Sequence, residues 1–170
     1  MKNTHILETV TSMLSAAAVA ETGAGVIYEG RKTTYRELDD LSRRAAAGLA
    51  SLGIGLGDRV AFWLPNTPAY LVLYFACVRL GAVAVAVNTR FRAGEVEDVL
   101  GRTGAKALIM WPGFRGIDFP GILEEVDRAA LARLEVAILY AEDGKSPSVL
   151  PGVARTIGCG PKYRRLSGFR

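Results

Sequence analysis

Short, almost wholly apolar segments alternate along this chain with amphipathic stretches of helical period, and that alternation constrains the fold more than any other feature. Residues 60–64, 83–87, 107–110 and 136–140 carry almost no polar side chain. A strand apolar at every position has no solvent face and must be covered on both sides, the condition of parallel sheet. The intervening segments have the period of helices that could supply the cover. Leu38, Leu41, Ala45, Leu49 and Leu52 recur at intervals of three and four, with Arg36, Asp39, Asp40, Arg43 and Arg44 expected on the opposite, solvent face. Thr34 and Glu37 have the spacing of a reciprocal capping box at the start of that helix, and Gly53 ends it. Thr67 caps a second helix that carries Pro68 at its first position and stops at Gly81. Shorter helices are expected over residues 95–102 and 122–131, and a hairpin turning at Gly30 over residues 26–34. The pattern predicts an α/β fold, a mostly parallel sheet covered by helices through right-handed crossovers.

After Asp143 the periodicity ends, and Gly144, Pro147, Pro151, Gly152, Gly158, Gly160 and Pro161 predict no regular element. The division expected is a folded body over residues 1–153 and a basic, unstructured tail over residues 154–170. Charge follows the same division. The net charge is +4, but Arg155, Lys162, Arg164, Arg165 and Arg170 all lie in the tail, and without these five the body holds 16 basic against 17 acidic residues. A nucleic-acid reader carries its basic stripe on the folded body, so no nucleic-acid partner is expected.

Two stretches imitate membrane segments. Residues 1–20 end in Ala18-Val19-Ala20 like a secretory leader, but Glu8, Thr9, Thr11 and Ser12 interrupt the apolar run, which predicts an amphipathic helix instead. Residues 69–87 approach the length of a span, but Arg79 stands at the centre and Gly81 divides the run. A buried helix leading into a buried strand is expected, with no transmembrane segment. Cys77 and Cys159 have unlike contexts and no Cys-x-x-Cys spacing, which fits a reducing, cytoplasmic setting.

Few residues offer chemistry. Gly53, Gly55 and Gly57 give G-x-G-x-G before a strand, whereas a dinucleotide fingerprint follows a strand and opens a helix, so a tight turn is the expectation. His5, the only histidine, has no partner in sequence to make it a catalytic base. No cluster has the spacing of metal ligands. Trp63, Tyr70, Tyr74 and Phe75 fit core filling better than a stacking platform.

Four stretches taken together resemble the adenylate-forming acyl-CoA synthetases. They are TTYRELDDLSRRAAAGL at 33–49, LGIGLGDRVAFWLPN at 52–66, PAYLVLYFACVRLGAVAVAVNTRF at 68–91 and EVEDVLGRTGAKALIM at 95–110. The resemblance covers about residues 6–151. It implies an incomplete part of the large amino-terminal domain of that fold. It also implies a parent reaction that activates a carboxylic or fatty acid with ATP and Mg2+ to an acyl-adenylate and passes the acyl group to CoA. The motifs that serve this chemistry in the family are absent from the 170 residues: the Ser/Thr/Gly-rich phosphate loop ending in lysine, the threonine–glutamate pair for magnesium, the ribose aspartate and the late lysine. Where the loop is due, the chain offers Gly144-Lys145-Ser146-Pro147. No catalytic and no metal-binding residue is therefore assigned, and no bound cofactor is expected for the chain alone. One carry-over is Arg115, in the loop Gly113-Phe114-Arg115-Gly116, as a contact to the CoA nucleotide phosphate; Arg90 and Arg92 carry the same idea less far.

The expectation is thus an inactive portion of an acyl-CoA ligase, cut off by truncation or a shifted reading frame near Val153, and prone to self-association through uncovered apolar sheet. A free-standing α/β interaction or nucleotide-binding module is the alternative. A membrane-associated protein is the third reading, opposed by Arg79 and Gly81.

Overall fold

The computed structural model describes residues 9–20, 23–141, 150 and 153–159. His5, the 144–147 stretch and the tail from residue 160 onward lie outside the described residues. The elements in chain order are α1 (Val10–Val19), β1 (Gly25–Tyr28), β2 (Arg31–Thr34), α2 (Tyr35–Ser51), β3 (Arg59–Trp63), α3 (Pro68–Arg79), β4 (Val83–Ala86), α4 (Ala93–Thr103), β5 (Ala107–Met110), α5 (Phe119–Glu124), β6 (Val136–Tyr140) and β7 (Arg155–Cys159).

Local signals set most boundaries. The Thr34 hydroxyl accepts from the Glu37 amide at 3.2 Å, and the Glu37 carboxylate accepts from the Thr34 amide at 2.8 Å, closing the box that starts α2. The Thr67 hydroxyl accepts from the Tyr70 amide at the start of α3, where Pro68 lacks a donor that would have had no partner anyway. Gly81 (φ 68°) turns the chain between α3 and β4, and a Cβ there would collide with the Leu56 side chain at 2.5 Å. The hairpin turn is Glu29-Gly30, both left-handed, as a two-residue turn matched to strand twist requires.

Five strands form one parallel sheet in the order β4-β3-β5-β6-β7. Alternation sorts the strand residues onto two faces. Val60, Phe62, Ala107, Ile109, Val136 and Ile138 meet Leu14 of α1, Leu38 and Leu49 of α2 and Leu73 of α3. Ala61, Trp63, Leu108, Met110, Ala137 and Leu139 meet Val96 and Leu100 of α4 and Phe119 and Leu123 of α5. Both faces of the central strands β3, β5 and β6 are therefore covered by helices of this chain. No helix of the described residues is long and apolar enough to cross a membrane.

Four expectations need correction. Residues 155–159 are not unstructured: β7 pairs with β6 from Val136↔Arg155 to Tyr140↔Cys159. Only Ile157 and Cys159 turn toward the core, too short an alternation to read, and main-chain pairing supplies the rest. The helix expected over 122–131 begins and ends earlier. The Asp118 carboxylate accepts from the Gly121 amide at 3.0 Å and starts α5, whereas Asp127 accepts from the Ala129 amide at 2.8 Å and bends the chain into turns. The strand at β4 is not buried on every side, since among the described residues it lies at the sheet edge with Val83 49% exposed. Asp39, expected on the solvent face of α2, is buried, because Arg79 approaches it from α3.

Candidate functional site at the carboxyl edge of the sheet

The chain crosses from β3 to β4 by α3 on one face, then from β4 to β5 by α4 on the other. The connections thus diverge between β3 and β5, and in open α/β sheets the crevice outside such a switch point is where ligands bind. The residues that line this edge come from the ends of four strands. Trp63 closes β3, and its indole N–H donates to the Asn88 carbonyl after β4 at 3.0 Å. The Asn88 side-chain oxygen accepts from the Arg90 amide at 2.9 Å, which fixes the following loop. Arg92 donates to the carbonyls of Arg90 and Phe91, each at 3.3 Å, so its guanidinium braces its own loop.

Arg115 lies beyond β5 in a single 3-10 turn, Phe114–Gly116. Trp111 packs on Phe114 with ring centroids 5.3 Å apart and meets Tyr140, at the end of β6, edge-on at 5.4 Å. The Arg115 guanidinium carbon stands 5.3 Å above the Phe114 ring, a cation–π distance. Arg115 is exposed, and Trp111 and Phe114 are half-buried. The structure thus brings Arg115 beside an aromatic cluster, while Arg90 and Arg92 belong to the neighbouring loop after β4. Sequence reasoning missed Trp111, Phe114 and Tyr140 as a group, because residues 111 and 140 meet only through the pairing of β5 with β6.

A cation held over an aromatic ring at this edge offers contacts to an anionic or planar group. Among the described residues no three His, Cys, Asp or Glu side chains gather where a metal could bind. Burial pushes the Cys77 and Cys159 thiols up to about 12, far from nucleophilic range.

The opposite edge is structural. The Lys106 ammonium donates to the Gly53 carbonyl at 2.7 Å and to Asp58 at 3.0 Å, and the Gly55 amide donates to the same Asp58 oxygen at 2.9 Å. Burial raises the Asp58 carboxyl, but the Gly55 amide, Lys106 and Arg59 outweigh it and hold the group below its ordinary value. The glycine run at 53–57 thus folds onto Asp58 and Lys106 as a tight turn. A separate cavity of about 180 Å³ lies where Ala17 and Ala18 of α1 face Thr34, Tyr35 and Arg36, and it shares no residue with the carboxyl edge.

The sequence profile of the family described as AMP-binding enzyme matches residues 14–154. A Mycobacterium tuberculosis protein, 3-[(3aS,4S,7aS)-7a-methyl-1,5-dioxo-octahydro-1H-inden-4-yl]propanoyl:CoA ligase, is 41% identical over 122 residues, covering 70% of this chain and 24% of that protein. The mitochondrial medium-chain acyl-CoA ligase ACSF2 of Macaca fascicularis is 34% identical over 128 residues, covering 74% of this chain and 21% of its own. The anthranilate CoA ligase AuaEII, solved with anthranoyl-AMP, shares the fold with a TM-score of 0.70 at 23% identity, over 84% of this chain and 26% of that one. The chain thus spans about a quarter of the length of these relatives. A parallel sheet wound on both faces, together with a match running through nearly all of it, establishes that the chain belongs to the AMP-binding enzyme family.

Proposed function

We propose that the chain forms the opening layers of the large domain of an acid–thiol ligase, an acyl-CoA synthetase. The observation that carries this is the family match over residues 14–154, together with 122 and 128 residues aligned to CoA ligases of two distant organisms. In the parent reaction a carboxylate oxygen attacks the α-phosphorus of ATP, giving an acyl-adenylate and releasing pyrophosphate. The CoA thiol then attacks the acyl carbon, loses its proton and displaces AMP. The parent's partners are therefore a carboxylic acid, ATP and CoA. We assign these 170 residues a scaffolding part in that chemistry, because they contain none of the family's phosphate, magnesium or ribose motifs.

The test is acid-dependent exchange of labelled pyrophosphate into ATP. The 170-residue protein should show none with aliphatic or aromatic acids, and exchange by pure protein would refute the scaffolding assignment.

Arg115 is the residue we assign to substrate binding, as a contact to the CoA nucleotide phosphate. Its exposure at the carboxyl edge and its support by Phe114 favour the reading. Calorimetric titration with CoA and with CoA lacking its 3′-phosphate should give tighter binding to CoA. Arg115→Ala should remove the difference; an unchanged difference would reject the assignment.

A second reading, a free-standing α/β interaction module, draws on the cover of both sheet faces within the described residues. It requires a monomer with a sharp, reversible unfolding transition and a binding partner unrelated to CoA.

A further inference from the structure

We draw no further inference here: the strongest candidate, the aromatic cluster of Trp111, Phe114 and Tyr140 at the carboxyl edge of the sheet, belongs to the Arg115 site already described.

Discussion

Asp39 and Arg79, forty residues apart, form an ion pair between α2 and α3, with only 10% and 13% of their side chains exposed. Arg79 also donates to the Ser42 hydroxyl at 3.0 Å. Asp39 also accepts from Arg43 at 2.9 Å and from the Ser15 hydroxyl of α1 at 3.0 Å. One carboxylate thus ties together three helices that cover the same sheet face. A charge that looked like an interruption in an apolar run is the partner of an acid that looked solvent-exposed.

The first prediction concerns that pair. Asp39→Ala leaves the Arg79 guanidinium inside the helix layer without its counter-charge, and breaking a buried pair from one side costs about 3 kcal/mol. Urea unfolding should show the loss as a lower midpoint. Asp39→Leu combined with Arg79→Met should recover most of it, because two apolar side chains leave no buried charge behind. A double variant as unstable as Asp39→Ala would mean that shape, not charge, holds α2 to α3.

Acid should weaken the fold through the same residue. Burial raises the Asp39 carboxyl, but hydrogen bonds from Arg43 and Ser15 and the charges of Arg79 and Arg43 outweigh it and hold it below its ordinary 3.8. Asp58 is lowered as well, and Glu37 lies below its ordinary 4.5 through hydrogen bonds from the Thr34 amide and hydroxyl. A carboxyl depressed on folding contributes its full stability above the unfolded value and loses it as pH falls through the folded one. Unfolding free energy should therefore be flat above about pH 5 and fall below about pH 4. Asp39→Asn should flatten part of that fall. An unchanged acid slope in Asp39→Asn would remove Asp39 from the account.

The residues that were legible in sequence are those whose cause is local. Thr34 with Glu37 and Thr67 with Pro68 act within one turn, and the apolar runs of β5 and β6 are unbroken, so these elements could be placed from sequence alone. What escaped depends on distant partners. Helical period puts Asp39 on the polar side of α2, and only Arg79 reveals that this side meets α3. β7 has two core-facing residues, Ile157 and Cys159, and it exists by pairing with residues nineteen positions earlier in the chain. At the candidate site Arg115 could be singled out, but its aromatic setting needs Tyr140 from the neighbouring strand.

The two thiols should be silent in the native state. Cys77 is fully buried and Cys159 is 2% exposed, and burial raises both to about 12. Thiolate is the reactive form, so a disulfide reagent at pH 8 should modify neither residue until denaturant is added. Rapid labelling of one thiol without denaturant would locate it at Cys159 by mass spectrometry if β7 opens independently of the sheet.

The last prediction turns on the backbone of Arg115. Its φ of 55° lies in the left-handed region, and it stands between Gly113 at 74° and Gly116 at 73°, where glycine meets the same demand without strain. A side chain held there costs about 1 kcal/mol or more. Arg115→Gly relieves that strain, loses a weak exposed cation–π contact and adds some freedom to the unfolded chain, for a net gain of about 0.5 kcal/mol. Arg115→Ala loses the same contact and keeps the strain, so it should fall below wild type by about 0.5 kcal/mol. The order expected in thermal unfolding is therefore glycine, arginine, alanine. That order would mean that arginine sits here at a cost to stability, as a residue serving a ligand does. Equal stability of the glycine and alanine variants would show that the loop carries no strain in solution, and the assignment of Arg115 would then rest on its exposure and on Phe114 alone.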